Sequence, residues 1–277
     1  MKLGYNTNGF AFHTLPDAIE IIAELGYECV ALTLDVHHLN PFTCSALEVN
    51  EVAKQLGRLE LECVIETGSR YLLDARRKHR PTLIDDDCDS RVHFLYRAAE
   101  IARDLGAPAL SYWSGARPEG WTGDDAELYK RLAYHVGKFE ELCSMHGIRA
   151  ALEPEPGMLI ESMADYDRLA ELLGFRPGLT LDIGHLECVE SKPEWEYLSS
   201  YQDVLYNLQL DDMLPGRHRH LFFGEGSVDF AHTFKVLRET GYAGPACVEL
   251  SEASRNAVET AKRAKDFLDG VERNIAE

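Results

Sequence analysis

Four polar side chains stand where short apolar runs end: Glu153 in AALEPEPG, Asp182 in LTLDIGH, Gln209 in LYNLQLDD and Glu249 in ACVELS. Each run is strand-like, so each polar group closes a segment whose preceding residues are expected to be buried. Taking an ionised carboxylate out of water costs several kcal/mol unless it is paired or bound to a cation. A single acid in such a place is ordinarily a salt-bridged or solvent-facing residue at a loop junction. Four oxygen donors at equivalent ends of successive strands need a shared explanation, and a divalent cation is the simplest. Three carboxylates and an amide carbonyl form a hard site suited to Mn2+ or Mg2+, with Co2+ and Zn2+ as open alternatives.

Such a site needs strands that lie side by side and point the same way. Eight apolar runs qualify: Lys2–Thr7, Cys29–Asp35, Glu62–Thr67, Ala109–Trp113, Arg149–Glu155, Gly178–Ile183, Leu205–Leu210 and Ala246–Leu250. Helical patterns lie between them. Leu15–Leu25, Val92–Leu105 and Asp125–His146 each end at a glycine suited to a helix C-terminus (Gly26, Gly106, Gly147). Val228–Thr240 stops before Gly241, and a last helix runs from about Ala253 to Val271. Strict β/α alternation implies a parallel sheet. A doubly wound sheet would alternate too, but eight units with no linker or composition break favour closure. The expectation is one (β/α)8 TIM barrel, a single domain spanning 1–277, a length ordinary for that fold. The longest irregular stretches, Gly68 to Asp89 and Asp211 to Ser227, follow strands 3 and 7, on the face where barrels build active sites.

Composition narrows the partners. The chain carries 47 acidic and 28 basic residues, a net charge of −19. A surface that negative lacks the electrostatic attraction on which nucleic-acid binding rests, so no nucleic-acid partner is expected. No stretch approaches the roughly 18 consecutive apolar residues of a membrane helix, so no membrane partner is expected either. The opening MKLGYNTNGF lacks the apolar core of a signal peptide, which points to the cytoplasm. Seven scattered cysteines without a CxxC pair fit reduced thiols better than a disulfide framework or a thiolate zinc site.

The ordered set Glu153, Asp182-x-x-His185, Gln209-x-x-Asp212, Gly224-Glu225-Gly226 and Glu249 resembles the xylose isomerase-like TIM-barrel superfamily, over the whole chain. That group includes sugar and sugar-phosphate isomerases and epimerases, inosose and 3-dehydroshikimate dehydratases, and endonuclease IV. The resemblance implies one divalent ion held by Glu153, Asp182, position 209 and Glu249. Many members carry histidine at position 209; some dehydratases carry glutamine, as here, and the change hardens the ligand set and weighs against zinc. The resemblance further implies that the ion polarises a carbonyl beside a hydroxyl. Glu153 and Glu249 are then the catalytic base and acid across an enediolate. The implied substrate is a small polyhydroxy carbonyl compound: a sugar, a sugar derivative or a cyclitol. Where a hydroxyl leaves from the next carbon, the same chemistry makes a dehydratase.

Further residues are candidates for binding that substrate. His185 corresponds to a family histidine that contacts substrate or a second metal, against a structural role bonding a loop carbonyl. Arg217 offers a planar donor fork, or is a surface arginine. Glu155, two residues past Glu153, faces the same way. Trp113 suits stacking on a sugar ring or filling the core. His220 and His218 lie where endonuclease IV binds an additional zinc, and with His185 could hold a second ion. The histidines that such a multinuclear site also takes from strands 3 and 4 are missing, however. The basic run ArgArgLysHisArg (76 to 80) could steer a phosphorylated or carboxylated substrate, or be a solvated loop. The leading expectation is a metal-dependent isomerase or epimerase. A dehydratase comes second; an endonuclease IV-like phosphodiesterase and a non-catalytic sugar-binding barrel come behind. Homo-oligomers are common in the family, and the oligomeric state stays open.

Overall fold

In the computed structural model, which describes residues 1–276, strand β1 (Lys2–Asn6) pairs with both β2 (Cys29–Thr33) and the last strand, β10 (Pro245–Val248). That double pairing closes the sheet. The remaining staves are β3 (Glu62–Glu66), β4 (Ala109–Trp113), β5 (Arg149–Glu153), β6 (Gly178–Asp182) and β7 (Leu205–Leu210). Around the barrel the order is β1-β10-β7-β6-β5-β4-β3-β2, with every pairing parallel. The eight expected strands all form, several of them one or two residues shorter at the C-terminal end. The fold is the expected TIM barrel.

The interior follows from the two-residue period of a strand. Near the barrel floor Cys29, Ala31, Val64, Ala109 and Cys247 form a small cluster of their own, against which Tyr206 packs. Two residues further along the same strands the inward positions turn polar: Thr33, Glu66, Ser111 and Glu249. On β7 the same face carries Asn207 and Gln209, both fully buried. Asn207 Nδ2 donates to Glu66 Oε1 at 2.8 Å, a bond between strands on opposite sides of the barrel. The outward faces instead build the large apolar layer under the helices, with Tyr5, Leu32, Ile65, Leu110, Leu152, Leu181 and Leu208 among its members.

Helix starts reflect local chemistry. Helices α1 (Leu15–Glu24), α3 (Asp89–Leu105) and α4 (Asp125–Met145) lie where apolar periodicity placed them. Two further helices, α2 (Ala46–Arg58) and α5 (Met163–Leu173), were not singled out in the sequence. Both open with a reciprocal capping box, Ser45 with Glu48 and Ser162 with Asp165. After β6 the chain makes two short helices, α6 (Ile183–Val189) and α7 (Glu194–Ser200). The stretch after β7, expected to be irregular, folds back as an antiparallel hairpin of β8 (Asp212–Leu214) and β9 (Arg217–Leu221), turning at Pro215 and Gly216. Helix α8 (Phe230–Glu239) and α9 (Ala257–Ala276) complete the shell. None of the helices among the described residues is long and apolar enough to cross a membrane. The seven cysteines are free thiols.

Glycine is required where strands approach closest. A Cβ on Gly178 would sit 2.3 Å from the Ala150 carbonyl oxygen and 2.4 Å from the Tyr206 ring. Gly178→Ala should therefore destabilise the fold by about 1–3 kcal/mol, the usual cost of overpacking. The urea midpoint is expected to fall with an unchanged slope, and an unchanged midpoint would mean that β5, β6 and Tyr206 are less tightly apposed than described.

Candidate active site

The strand ends open into a cavity of about 520 Å³. Glu66, Trp113, Glu153 and Glu249 line it from the barrel, with Glu155 and His185 just beyond the strands and His218, Arg219 and His220 from the hairpin. Arg70, Lys78 and His79 line it from the loop between β3 and α3. The volume falls within the roughly 300–1,000 Å³ of ordinary small-molecule sites.

The acidic side occupies four consecutive staves, β5, β6, β7 and β10. Glu153 ends β5 and is buried, and one of its oxygens lies 3.8 Å from His185 Nδ1. Burial, reinforced by the charges of Glu66, Glu249, Glu155 and Asp182, pushes its carboxyl well above the usual range. Asp182 ends β6 and caps α6, its Oδ1 accepting from His185 N at 3.1 Å. Burial opposes its charge, but His185, His220 and that backbone N–H hold its pKa below the usual value. Its other oxygen, Oδ2, has no hydrogen-bond partner among the described residues. Glu249 follows β10, half-buried, and Oε1 accepts from Asn8 Nδ2 at 2.7 Å. Burial raises its pKa, against the influence of His220 and Asn8.

Gln209 does not face the open cavity; it is wholly buried, and its Nε2 donates to Glu66. That bond fixes which end of the amide points where, and leaves Oε1 without a partner. Glu66 itself is pushed up to about 8 by burial and the Glu249 charge, partly offset by hydrogen bonds from Ser111, Asn207 and Gln209. Asn8 and Asp211 are site residues to which sequence reasoning assigned no role, and it did not foresee the bonds between Glu66 and β7. A signal existed for Asp211, which lies two residues past Gln209 on the same face. Glu66, too, ends an apolar strand run as Glu153 does.

Three groups of side chains bring their ligand atoms within 4.8 Å of one another: Glu153, Asp182 and His185; Asp182, Asp211 and His220; and His185, His218 and His220. The first unites two of the four expected ligands and adds His185, whose Nε2 is buried without a partner. Glu249 belongs to none of these tight groups. His185 Nδ1 lies 3.3 Å from the Pro154 carbonyl, and burial lowers its pKa to about 4, so it stands as a neutral imidazole available for coordination. His220 Nδ1 pairs with Asp211, which holds His220 well above its normal pKa despite burial. Buried oxygens and a neutral imidazole nitrogen, several of them unpartnered, suit a divalent cation.

The surrounding loops make this crowding possible. A Cβ on Gly184 would lie 1.9 Å from Asp211 Oδ1. Asp212 Oδ2 accepts from Gly224 N at 2.8 Å and Gly226 N at 2.9 Å, while Oδ1 accepts from Val228 N at 3.1 Å. The Gly-Glu-Gly segment is thus the scaffold that anchors the hairpin bearing His218 and His220.

The other expected substrate residues divide. Glu155 lines the cavity and is pushed up to about 8 by burial and the charge of Glu249. Trp113 lines it as well, its indole held under the Arg91 guanidinium at 4.7 Å and beside His79 at 5.2 Å. Arg217 does not reach the cavity. It pairs with Leu214 across the hairpin turn, at the exposed tip, and Arg219 two residues later lines the site instead. Strands β3 and β4 end at Glu66 and Trp113, so neither offers a histidine to a multinuclear centre.

Comparison with known proteins places the chain in a family and a fold. An L-ribulose-5-phosphate 3-epimerase UlaE from Escherichia coli is 24% identical over 263 residues, covering 87% of this chain and 89% of the relative. An uncharacterized protein from Methanocaldococcus jannaschii is 24% identical over 285 residues, covering 100% of this chain and 92% of the relative. Among solved structures, a D-tagatose 3-epimerase-like protein superposes with a TM-score of 0.78 at 21% identity, over 99% of this chain and 100% of the other. An L-ribulose 3-epimerase superposes at 0.76 with 19% identity, over 99% and 96%. Residues 19–271 match the family described as xylose isomerase-like TIM barrel, and the chain belongs to that family.

Proposed function

We propose that this protein is a divalent-metal-dependent epimerase of a ketose or a closely related polyhydroxy carbonyl compound. The observation that carries the reading is the pair Glu153 and Glu249. Both line one cavity, burial raises the pKa of both, and Glu153 shares a tight group with Asp182 and His185, whose Oδ2 and Nε2 lack partners among the described residues. The relatives named as sugar 3-epimerases support it.

Glu153, Asp182, Gln209 and Glu249 would hold the ion, with His185 as a further donor. When bound, the ion supplies Lewis-acid polarisation of a substrate carbonyl. One of the two glutamates removes the proton from the carbon beside the carbonyl, and the other delivers a proton to the opposite face of the enediolate. Burial raises the pKa of both glutamates, which favours accepting and returning a proton over staying ionised. Asn8 positions Glu249 through its 2.7 Å bond. Trp113 and the half-buried rim exclude water and give the sugar an apolar face to lie on.

Two outcomes follow. Glu153→Gln should reduce epimerisation by about 10²–10⁴-fold, the typical worth of one positioned proton-transfer group. In D2O the wild-type protein should place deuterium on the carbon next to the ketose carbonyl. Near-wild-type turnover in the variant would refute the acid–base roles, and loss of water instead of inversion would favour the dehydratase reading that Gln209 raises. Separately, Mn2+ at about a hundred times its dissociation constant should stabilise the wild-type protein by about 2.7 kcal/mol, through binding to the folded state alone. Asp182→Ala should abolish that gain in thermal melts, and an equal gain in both proteins would place the ion elsewhere.

A further inference from the structure

The cavity has two electrically different sides. Across the barrel from β7, at the centre of the acidic side, stands β3, and the loop that follows it carries the basic residues. Most of those cations are spoken for. Arg77 pairs with Asp74 at 2.6 Å, Arg80 with Asp85 at 2.7 Å, and, from the hairpin, Arg219 with Glu252 at 3.2 Å. Arg76 lies outside the cavity lining. Arg70 and Lys78 line the cavity and have no carboxylate within ion-pair distance among the described residues. In a chain with a net charge of −19, two such cations facing one cavity call for an explanation.

The loop is built to present them together. His79 N donates to the Arg70 carbonyl at 2.6 Å, which ties the two arms of the loop side by side. The buried Arg91 side chain then clamps it from below, donating from Nε to Pro81 O at 3.0 Å and from Nη2 to His79 O at 3.1 Å. The same guanidinium lies over Trp113. The negative groups nearest these cations are Glu155 and Glu249, and both have other neighbours. Glu249 is engaged by Asn8, whose carbonyl accepts from Arg70 Nη2 at 3.5 Å, and neither carboxylate forms an ion pair with Arg70 or Lys78 among the described residues. His79 and His218 stand alongside them in the cavity lining.

We propose that Arg70 and Lys78 form a subsite for a phosphomonoester on the end of the substrate remote from its carbonyl, so that the substrate is a ketose phosphate. This deepens the epimerase reading and rests on it for the identity of the sugar. A guanidinium fork and an ammonium point charge together match a dianion with three acceptor oxygens better than they match a neutral hydroxymethyl group. Placed across the mouth from the acidic side, they orient the carbonyl end toward Glu153 and Glu249. The phosphate then serves as the handle that sets which carbon is presented.

The test compares a ketopentose 5-phosphate, the free ketopentose and a keto-uronate as substrates of the full chain loaded with Mn2+. It uses wild type, Lys78→Ala, Lys78→Arg and the Arg70→Ala/Lys78→Ala double variant, with inorganic phosphate binding measured in parallel by calorimetry. Lys78 is exposed, so its substitution leaves folding intact, which circular dichroism would verify. The expected result is a kcat/KM preference for the phosphate ester of at least about tenfold, the scale of one charge-assisted contact. That preference should act mainly through KM, fall in Lys78→Ala, vanish in the double variant and persist in Lys78→Arg. Inorganic phosphate should bind wild type and not the double variant. Equal use of ester and free sugar, a preference for the uronate, or phosphate binding indifferent to Arg70 and Lys78 would overturn the subsite. Turnover of the free sugar alone would sink the subsite and leave the epimerase reading standing. Phosphate binding that tracks the two residues, with no ketose of any kind turned over, would do the reverse.

Discussion

Negative charge held inside a low-dielectric barrel is the constraint to which this structure answers. Glu153, Asp182, Asp211 and Glu66 are all buried at one end of the cylinder, with Glu249 half-buried beside them. No lysine or arginine pairs with any of these five among the described residues; the charged partner nearest to them is His220, bonded to Asp211. Each isolated carboxylate in such a place costs several kcal/mol, more than a hydrogen bond or two returns. The protein meets part of that cost by letting Glu153 and Glu66 take up protons at higher pH than usual. The orphaned oxygens of Asp182 and Gln209 and the orphaned nitrogen of His185 mark what remains, and a divalent cation would meet it.

The rest of the fold can be understood as support for that arrangement. Small residues fill the floor, so the inward faces have room for longer polar side chains toward the mouth. Gln209 is tied to Glu66 across the barrel, which fixes the orientation of the amide and leaves its Oε1 without a partner among the described residues. Gly184 admits Asp211, and Asp212 collects three backbone N–H groups to hold the hairpin that carries His218 and His220. On the far side, Arg91 stiffens an otherwise irregular loop by bonding its carbonyls. Stiffness matters there because a loop that frays would lose entropy on binding and weaken any substrate contact.

Much of this was legible in the sequence, and the physical reason is periodicity. Strands buried on both faces write themselves as apolar runs, so all eight staves and the polar residues that end them could be read directly. Glu153, Asp182 and His185 do converge. Legibility failed where chemistry depends on contacts between distant segments. The tie of Glu66 to Asn207 and Gln209 appears only when β3 and β7 face each other across the barrel. Arg217 was the arginine expected to anchor substrate, but the hairpin sets it at the exposed tip and brings Arg219, which the sequence did not single out, into the cavity lining. Helices α2 and α5 were passed over although their capping boxes were present as local signals.

The most direct measurement of the central claim is anomalous diffraction from a crystal of the protein loaded with Mn2+. The account predicts one strong peak at the barrel mouth, within about 2.0–2.6 Å of oxygens from Glu153, Asp182, Gln209 and Glu249, the ordinary range for such ligands. A peak confined to His185, His218 and His220, or no peak beside the four strand ends, would contradict it.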